Sequence, residues 1–211
     1  SYCPPANPER DQKPKTKEAK QWAGWGTALK PSQEPAILAR KPLEGTVAEN
    51  VLKWGVGGLN IDGCRMAPGD PAWPGPQETD QDLERWPANI YHCPKPSRGE
   101  REEGCESLTK QLQRNNVTTH NGTGNYRGID KKPLPMVGNY HPTVKPVALM
   151  RWLVRLVTPP GATVLETFTG SGTTMLAAER EGLTCLGIER EPAYCDIIRA
   201  RLSAAISTGE E

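Results

Sequence analysis

The sequence has almost no excess of charge. Its 26 lysines and arginines face 25 acids, which leaves a net charge of +1. No global field draws such a chain onto nucleic acid, so only a local basic groove remains as an electrostatic route. Long apolar runs are missing too. None approaches the ~20 residues of a membrane span, and no signal peptide is visible. The six cysteines, Cys3, Cys64, Cys93, Cys105, Cys185 and Cys195, form no CxxC pair. His92, Cys93 and Cys105 fit no common zinc spacing, so no metal is expected. Scattered cysteines without a secretory segment point to reduced thiols in the cytoplasm. Hydrophobic residues make up 36%, while glycine and proline number 21 each, so a small core and long loops are expected. The sequence starts at Ser1 rather than Met and stays polar and Pro/Lys-rich to Lys20. It reads as a piece of a longer chain.

What is present divides at about residue 135. Residues 1–20 read as linker. Trp22-Ala23-Gly24-Trp25-Gly26 reads as an aromatic loop, and the apolar run at 35–40 as one strand. Thr46-Val47-Ala48-Glu49 is a capping-box pattern that predicts a helix to Trp54, stopped by Gly55. Residues 62–88 and 94–135 read as loop. From Tyr140 the texture changes. Val147, Met150, Leu153, Val154 and Val157 have helical spacing behind Pro146 at the first helical position. A strand at 163–165, a helix from Thr173 to Glu181 closed by Gly182, a strand at 184–188 and a helix from Pro192 follow. In that last helix Tyr194, Ile197, Ile198 and Leu202 share a face. This order predicts an α/β unit with parallel strands.

The loop after the first of those strands reads Glu166-Thr167-Phe168-Thr169-Gly170-Ser171-Gly172-Thr173-Thr174. Gly170 and Gly172 allow a sharp turn and a close backbone approach to a ligand. A helix N-terminus with free N–H groups follows directly. Glu189 ends the next strand, 19 residues after Gly170, near the spacing at which a carboxylate grips ribose hydroxyls. Three nucleotide readings compete. A P-loop needs a lysine, and Thr169 to Thr174 has none. A dinucleotide fold wants a third glycine where Met175 stands. A nucleoside cofactor without phosphates needs neither, and S-adenosylmethionine fits, with Glu166 placed to meet its amino group. An ordinary strand-turn-helix is the plain alternative, and the two strand-end carboxylates count against it.

His141-Pro142-Thr143-Val144-Lys145-Pro146, then the Glu166–Thr174 loop, then Gly187-Ile188-Glu189-Arg190, resemble the C-terminal end of the adenine-N6/cytosine-N4 DNA methyltransferases of permuted, β-type order. The resemblance implies a Rossmann-like, S-adenosylmethionine-dependent α/β fold, present here as a partial sheet. An irregular, loop-rich region precedes it. It implies a cofactor site of His141, Thr143, Lys145, Glu166, Thr167, Phe168, Gly170, Ser171, Gly172, Thr173, Thr174 and Glu189. It also implies methyl transfer to the exocyclic amino group of adenine or cytosine in double-stranded DNA, with adenine the commoner target. The family loop usually begins Asp-Pro-Phe, where this one begins Glu166-Thr167-Phe168. The longer acid and the missing proline imply weaker cofactor affinity. Gly24 to Pro31, Glu34-Pro35, Ala39 to Pro42, Leu59 to Gly63 and Arg85 to Asn89 resemble phage-type members.

The resemblance divides the chain into a linker (1–20), a target-recognition-like region (21–135) and a cofactor subdomain (136–211). In the family an Asp/Asn/Ser-Pro-Pro-Tyr/Phe loop holds the flipped base. Cys3-Pro4-Pro5-Ala6 and Thr158-Pro159-Pro160-Gly161 do not match it. No catalytic residue is therefore assigned. The resemblance implies that a missing N-terminal catalytic half or a complementing chain supplies that loop. A non-catalytic DNA-binding or cofactor-binding remnant is the alternative, and an RNA or protein methyltransferase a more remote one. Trp25, Lys30, Arg40 and Lys41 are the candidate DNA contacts, read against packing for the tryptophan and a solvated face for the charges.

Overall fold

A computed structural model describes residues 16–23, 25, 33–67, 70, 72, 85–112 and 136–208. They belong to two compact units, residues 1–39 with 115–133 and residues 40–114 with 134–211. In the first unit, helix α1 (Lys17–Gln21) begins at Thr16, whose hydroxyl accepts the Ala19 N–H at 3.1 Å. The stretch expected to be linker thus ends in a capped helical turn. Trp22 and Trp25 meet edge to face with centroids 5.1 Å apart. They remain 58% and 70% exposed, so the pair adds ring contact without closing a core. The run at 35–40 is not a strand. Ile37 is 92% exposed, and four apolar residues behind a proline offer no alternating face for a sheet to bury.

The second unit opens with helix α2 (Val47–Trp54), which follows its sequence signals closely. Thr46 and Glu49 close a capping box, and Gly55 takes φ 69° as its N–H bonds the Val51 carbonyl. Asn50 is buried, accepts the Glu44 N–H and donates to the Val56 carbonyl, so one side chain ties both ends of the helix to its flanks. A 3-10 turn, Asp62–Cys64, lies in the region read as loop. Residues 94–135, also read as loop, contain helix α3 (Arg98–Glu102) and strand β1 (Gln111–Leu112). Strand β1 pairs antiparallel with β2 (Met136–Val137). Ser97 caps α3 by accepting the Glu100 N–H at 3.1 Å.

Toward the C-terminus come helix α4 (Val147–Val157), strand β3 (Thr163–Glu166), helix α5 (Thr173–Arg180), strand β4 (Thr184–Gly187) and helix α6 (Pro192–Thr208). Pro146 is the N-cap of α4 rather than its first residue, with extended backbone at ψ 132°. Strands β3 and β4 run parallel in a two-stranded sheet, Thr163 opposite Thr184 and Glu166 opposite Gly187. Helix α5 is the crossover between them, so this is the predicted parallel α/β unit. It ends in a Schellman turn. Leu183 N–H bonds Ala178 O, Gly182 N–H bonds Glu179 O, and Gly182 sits at φ 65°.

The core is where α5 packs on α4 and α6. Val147, Val154, Leu176, Ala177, Ala178, Ile197 and Ile198 are buried there. Each large aliphatic among them contributes roughly 1.5–3 kcal/mol of burial. The outward face of the sheet is different, since Leu165, Leu186 and Ile188 are all more than half exposed. Among the described residues no helix is long and apolar enough to cross a membrane, and no cluster of three His, Cys, Asp or Glu is placed to hold a metal.

Glu181, just past α5, ties that helix to α4. It accepts from Arg155 Nε and Nη2 and from Arg151 Nε, all at 2.7 Å. The Arg155 bond, with Arg151 in support, holds its carboxyl below the usual glutamate range. A depressed carboxyl pKa stabilises the fold above the unfolded value, and that stabilisation is lost as pH falls through the folded value. Glu181→Gln is expected to lower stability by about 2 kcal/mol at neutral pH. It should also flatten the acid limb of a thermal-melt series between pH 6 and 3. An unchanged acid limb would show that the cluster is not coupled to folding.

Candidate functional site

The glycine loop joins the C-terminal end of β3 to the N-terminus of α5, and both strand ends hold it. Glu166 at the end of β3 accepts the Phe168 N–H on Oε1 at 3.0 Å and the Thr174 hydroxyl on Oε2 at 2.9 Å. Glu189, just past β4, accepts the Gly170 N–H on Oε2 and the Glu191 N–H on Oε1, both at 2.8 Å. Thr169 is buried, and both its N–H and its hydroxyl donate to the Ile188 carbonyl. The Glu191 N–H first, then those of Gly170 and Arg190, hold the Glu189 carboxyl below its ordinary range. It is an ionised acceptor at neutral pH, and each oxygen keeps a second lone pair for a ligand hydroxyl.

The two glycines are required by conformation and by space. Gly170 takes φ 59°, and a Cβ there would lie 3.0 Å from His141 Nε2. Gly172 takes φ 79°, and a Cβ would lie 3.2 Å from Ile198 on α6. The turn is therefore packed between the His141 ring and α6. That ring meets Tyr194 edge to face at 4.6 Å, and its Nδ1 accepts the Thr143 N–H at 3.3 Å. Burial pushes the imidazole pKa down, so the ring is neutral at pH 7 and carries its proton on Nε2, toward Gly170.

The segment carrying His141 is positioned from α3. Arg101 donates to the His141 carbonyl at 3.0 Å. Glu102 accepts the N–H groups of Gly138 and Asn139. Fully buried Asn139 donates to the Arg101 carbonyl and accepts the His141 N–H. Pro146 has no side chain to cap α4, and Glu100 does so from α3 by accepting the Val147 N–H at 2.7 Å. An anionic oxygen at a helix N-terminus is favourable by about 1 kcal/mol.

The structure brings His141, Glu166, Gly170, Ser171, Gly172, Thr173, Thr174 and Glu189 together around one turn. Thr143 joins through its backbone, and Lys145 is half-buried on the same segment. Thr167 and Phe168 project from the lip of the turn, Phe168 with 88% of its surface exposed. Trp25 belongs to the first unit, Lys41 is exposed on the second, and Arg40 donates to the Gly57 carbonyl at 2.7 Å. Lys30 lies outside the described residues. Sequence reasoning missed Asn139 and Arg101, and it quoted Thr169 and Gly187 within the motifs without giving either a role. Ser97-Arg98-Gly99-Glu100 is a Ser-x-x-Glu pattern that marks α3, but Gly99 and the dense charge conceal it.

The N6/N4 methyltransferase family, described as DNA methylase, matches residues 10–200. The putative methylase YubD of Escherichia coli (strain K12) is 41% identical over 83 residues, 36% of this chain and 37% of that protein. The type II methyltransferase M.BglI of Bacillus subtilis is 41% identical over 71 residues, 34% of this chain and 20% of that protein. The aligned part of the chain thus spans 20% to 37% of the length of these curated relatives. The crystal structure of the M1.HpyAVI–SAM complex matches 29% of this chain and 30% of that one, at 41% identity and a TM-score of 0.28.

Gly187 gives a direct check on the packing of the site. A Cβ there would fall 2.6 Å from Met175 Sδ and 2.8 Å from Thr169 Oγ1. Met175 can shift, but Thr169 is fixed by its bonds to Ile188. Gly187→Ala is expected to cost about 1–3 kcal/mol in thermal unfolding, the range for an overpacked interior. A melt identical to that of the unaltered chain would contradict this packing.

Proposed function

The chain belongs to the DNA methylase family of N6/N4 methyltransferases, and from that premise we propose that residues 136–211 form its S-adenosylmethionine half-site. The observation that carries this reading is the turn itself. Two strand-end carboxylates and two left-handed glycines leave bare backbone beside an exposed phenylalanine. The chemistry of the donor set fits a nucleoside cofactor. An ionised Glu189 offers acceptors for ribose hydroxyls, Phe168 offers an apolar ring face, and Glu166 offers acceptors for an ammonium group. The turn itself, Thr169 to Thr174, has no lysine for phosphates. S-adenosylmethionine, when bound, supplies an electrophilic methyl group on a sulfonium.

The chain's own residues bind and orient. Glu189 holds the turn and the ribose at once, His141 walls the turn, and Thr174 fixes the Glu166 carboxylate. The reaction this half-site serves is methyl transfer to the exocyclic amino group of adenine or cytosine in double-stranded DNA, with adenine favoured. The acceptor loop of the family has no counterpart in residues 1–211. It comes from an N-terminal catalytic half or a complementing chain, and the exposed Leu165, Leu186 and Ile188 give that half an apolar sheet face to cover. Residues 21–135 contribute target recognition, and a phage-type origin fits the motifs there.

Calorimetric titration tests the reading. The chain is expected to bind S-adenosylmethionine, and Gly172→Val to lose that binding at least ten-fold, because Val meets both a left-handed φ and Ile198. Equal heats from both proteins would refute the assignment of the turn. The same preparation is expected to transfer no methyl to duplex DNA, and detectable transfer would refute the need for a second half.

A further inference from the structure

Beneath the glycine turn, on α6, lies a buried cation that sequence reasoning passed over. Arg201 is 1% exposed. Its Nη1 donates to the Ser171 carbonyl at 2.6 Å and to Thr173 Oγ1 at 3.2 Å, with Ser171 Oγ at 3.4 Å. Its Nε and Nη2 have no hydrogen-bond partner among the described residues. The two hydroxyls it gathers lie 3.3 Å apart and are themselves buried. The neighbouring Cys105 thiol is pushed up to about 11 by burial, so it is neutral and provides no counter-charge. Gly104 brings a second backbone close on the other side, since a Cβ there would lie 2.7 Å from the Ala200 carbonyl and 3.0 Å from Arg201 Cα.

Packing does not account for an arginine in this place. Glu103 and Glu100 favour its charge, but their carboxylates bond Arg180 and the Val147 N–H rather than Arg201. A buried guanidinium without a directly bonded anion is costly, and a methionine would fill a similar volume without that cost. An apolar side chain cannot donate to Ser171. That residue sits between Gly170 and Gly172, both at positive φ. Glycines widen the range of conformations open to such a segment. A charge-assisted bond to the single carbonyl between them removes most of that freedom.

We infer that Arg201 is a positioning residue of the cofactor site, a buried guanidinium that clamps Ser171 and Thr173 and so fixes the glycine turn in its binding shape. Ser171 and Thr173 then serve the site through Arg201, with their hydroxyls turned inward and away from the ligand. The inference rests on the reading of the turn as an S-adenosylmethionine site, but the clamp itself can be tested without cofactor.

The experiment compares the full chain with Arg201→Met, Arg201→Lys, Thr173→Val and the Arg201→Lys/Thr173→Val double variant. Each is measured by amide hydrogen exchange without cofactor and by calorimetric titration with S-adenosylmethionine. Arg201→Met is expected to speed exchange across residues 169–174 about ten-fold while the amides of α4 keep theirs, and to weaken cofactor binding by a similar factor. Arg201→Lys, which still donates to Ser171, is expected to recover part of both. Lys and Val are expected to be non-additive in the double variant, because they break the same bond. Should Arg201→Met fail to fold, the Lys and Val variants and their coupling decide the matter. Unchanged exchange and affinity overturn the clamp, as does a uniform rise in exchange over α4, α5 and α6, or strict additivity. If the unaltered chain itself does not bind S-adenosylmethionine, the cofactor reading fails, while the exchange data still decide whether Arg201 holds the turn.

Discussion

Glu189 reaches back from the end of β4 to the N–H of Gly170, and the shape of the glycine turn depends on that reach. In a parallel pair the two strand ends lie side by side, and the loop leaving β3 must pass over the end of β4 to enter α5. It can do so only if its backbone finds partners on the way. Glu166, Glu189 and the Ile188 carbonyl are those partners. The carboxylates that would meet a nucleoside are thus the groups that give the loop its form, so the loop's shape and its chemistry cannot be altered independently.

A second set of contacts holds the other wall. His141 is adjacent to Gly170 because α3 grips the chain on either side of it, through Arg101, Glu102 and Asn139, and caps α4 through Glu100. Helix α3 has five residues and would be marginal alone. It persists because its side chains satisfy backbone groups of a segment some forty residues away. This gives residues 98–102, which lie outside the glycine motif, a direct mechanical part in the site.

Local chemistry was legible in the sequence, and long-range chemistry was not. The Thr46–Glu49 capping box, the Gly55 stop, the α/β order after Tyr140 and the Gly182 stop each depend on neighbours within a few residues, and each has its observed geometry. The run at 35–40 has the apolar composition of a strand but no alternation to support one. Arg201 was missed for a complementary reason. It falls four residues after Ile197, on the buried face of α6, yet an arginine reads as solvated until the turn it clamps is seen above it. Gly187 is part of the Gly187–Arg190 motif, but only the approach of Met175 and Thr169 shows why no larger residue fits there.

We propose that S-adenosylmethionine binds at one turn, held by Glu166, Glu189 and Arg201. The most direct measurement is an amide-resolved NMR titration of the chain with that cofactor. The largest shifts are expected on residues 168–174 and 188–191, with smaller ones at His141 and Thr143. Shifts confined to α2 or to the Arg151–Arg155 face of α4, or none at saturating cofactor, would contradict it.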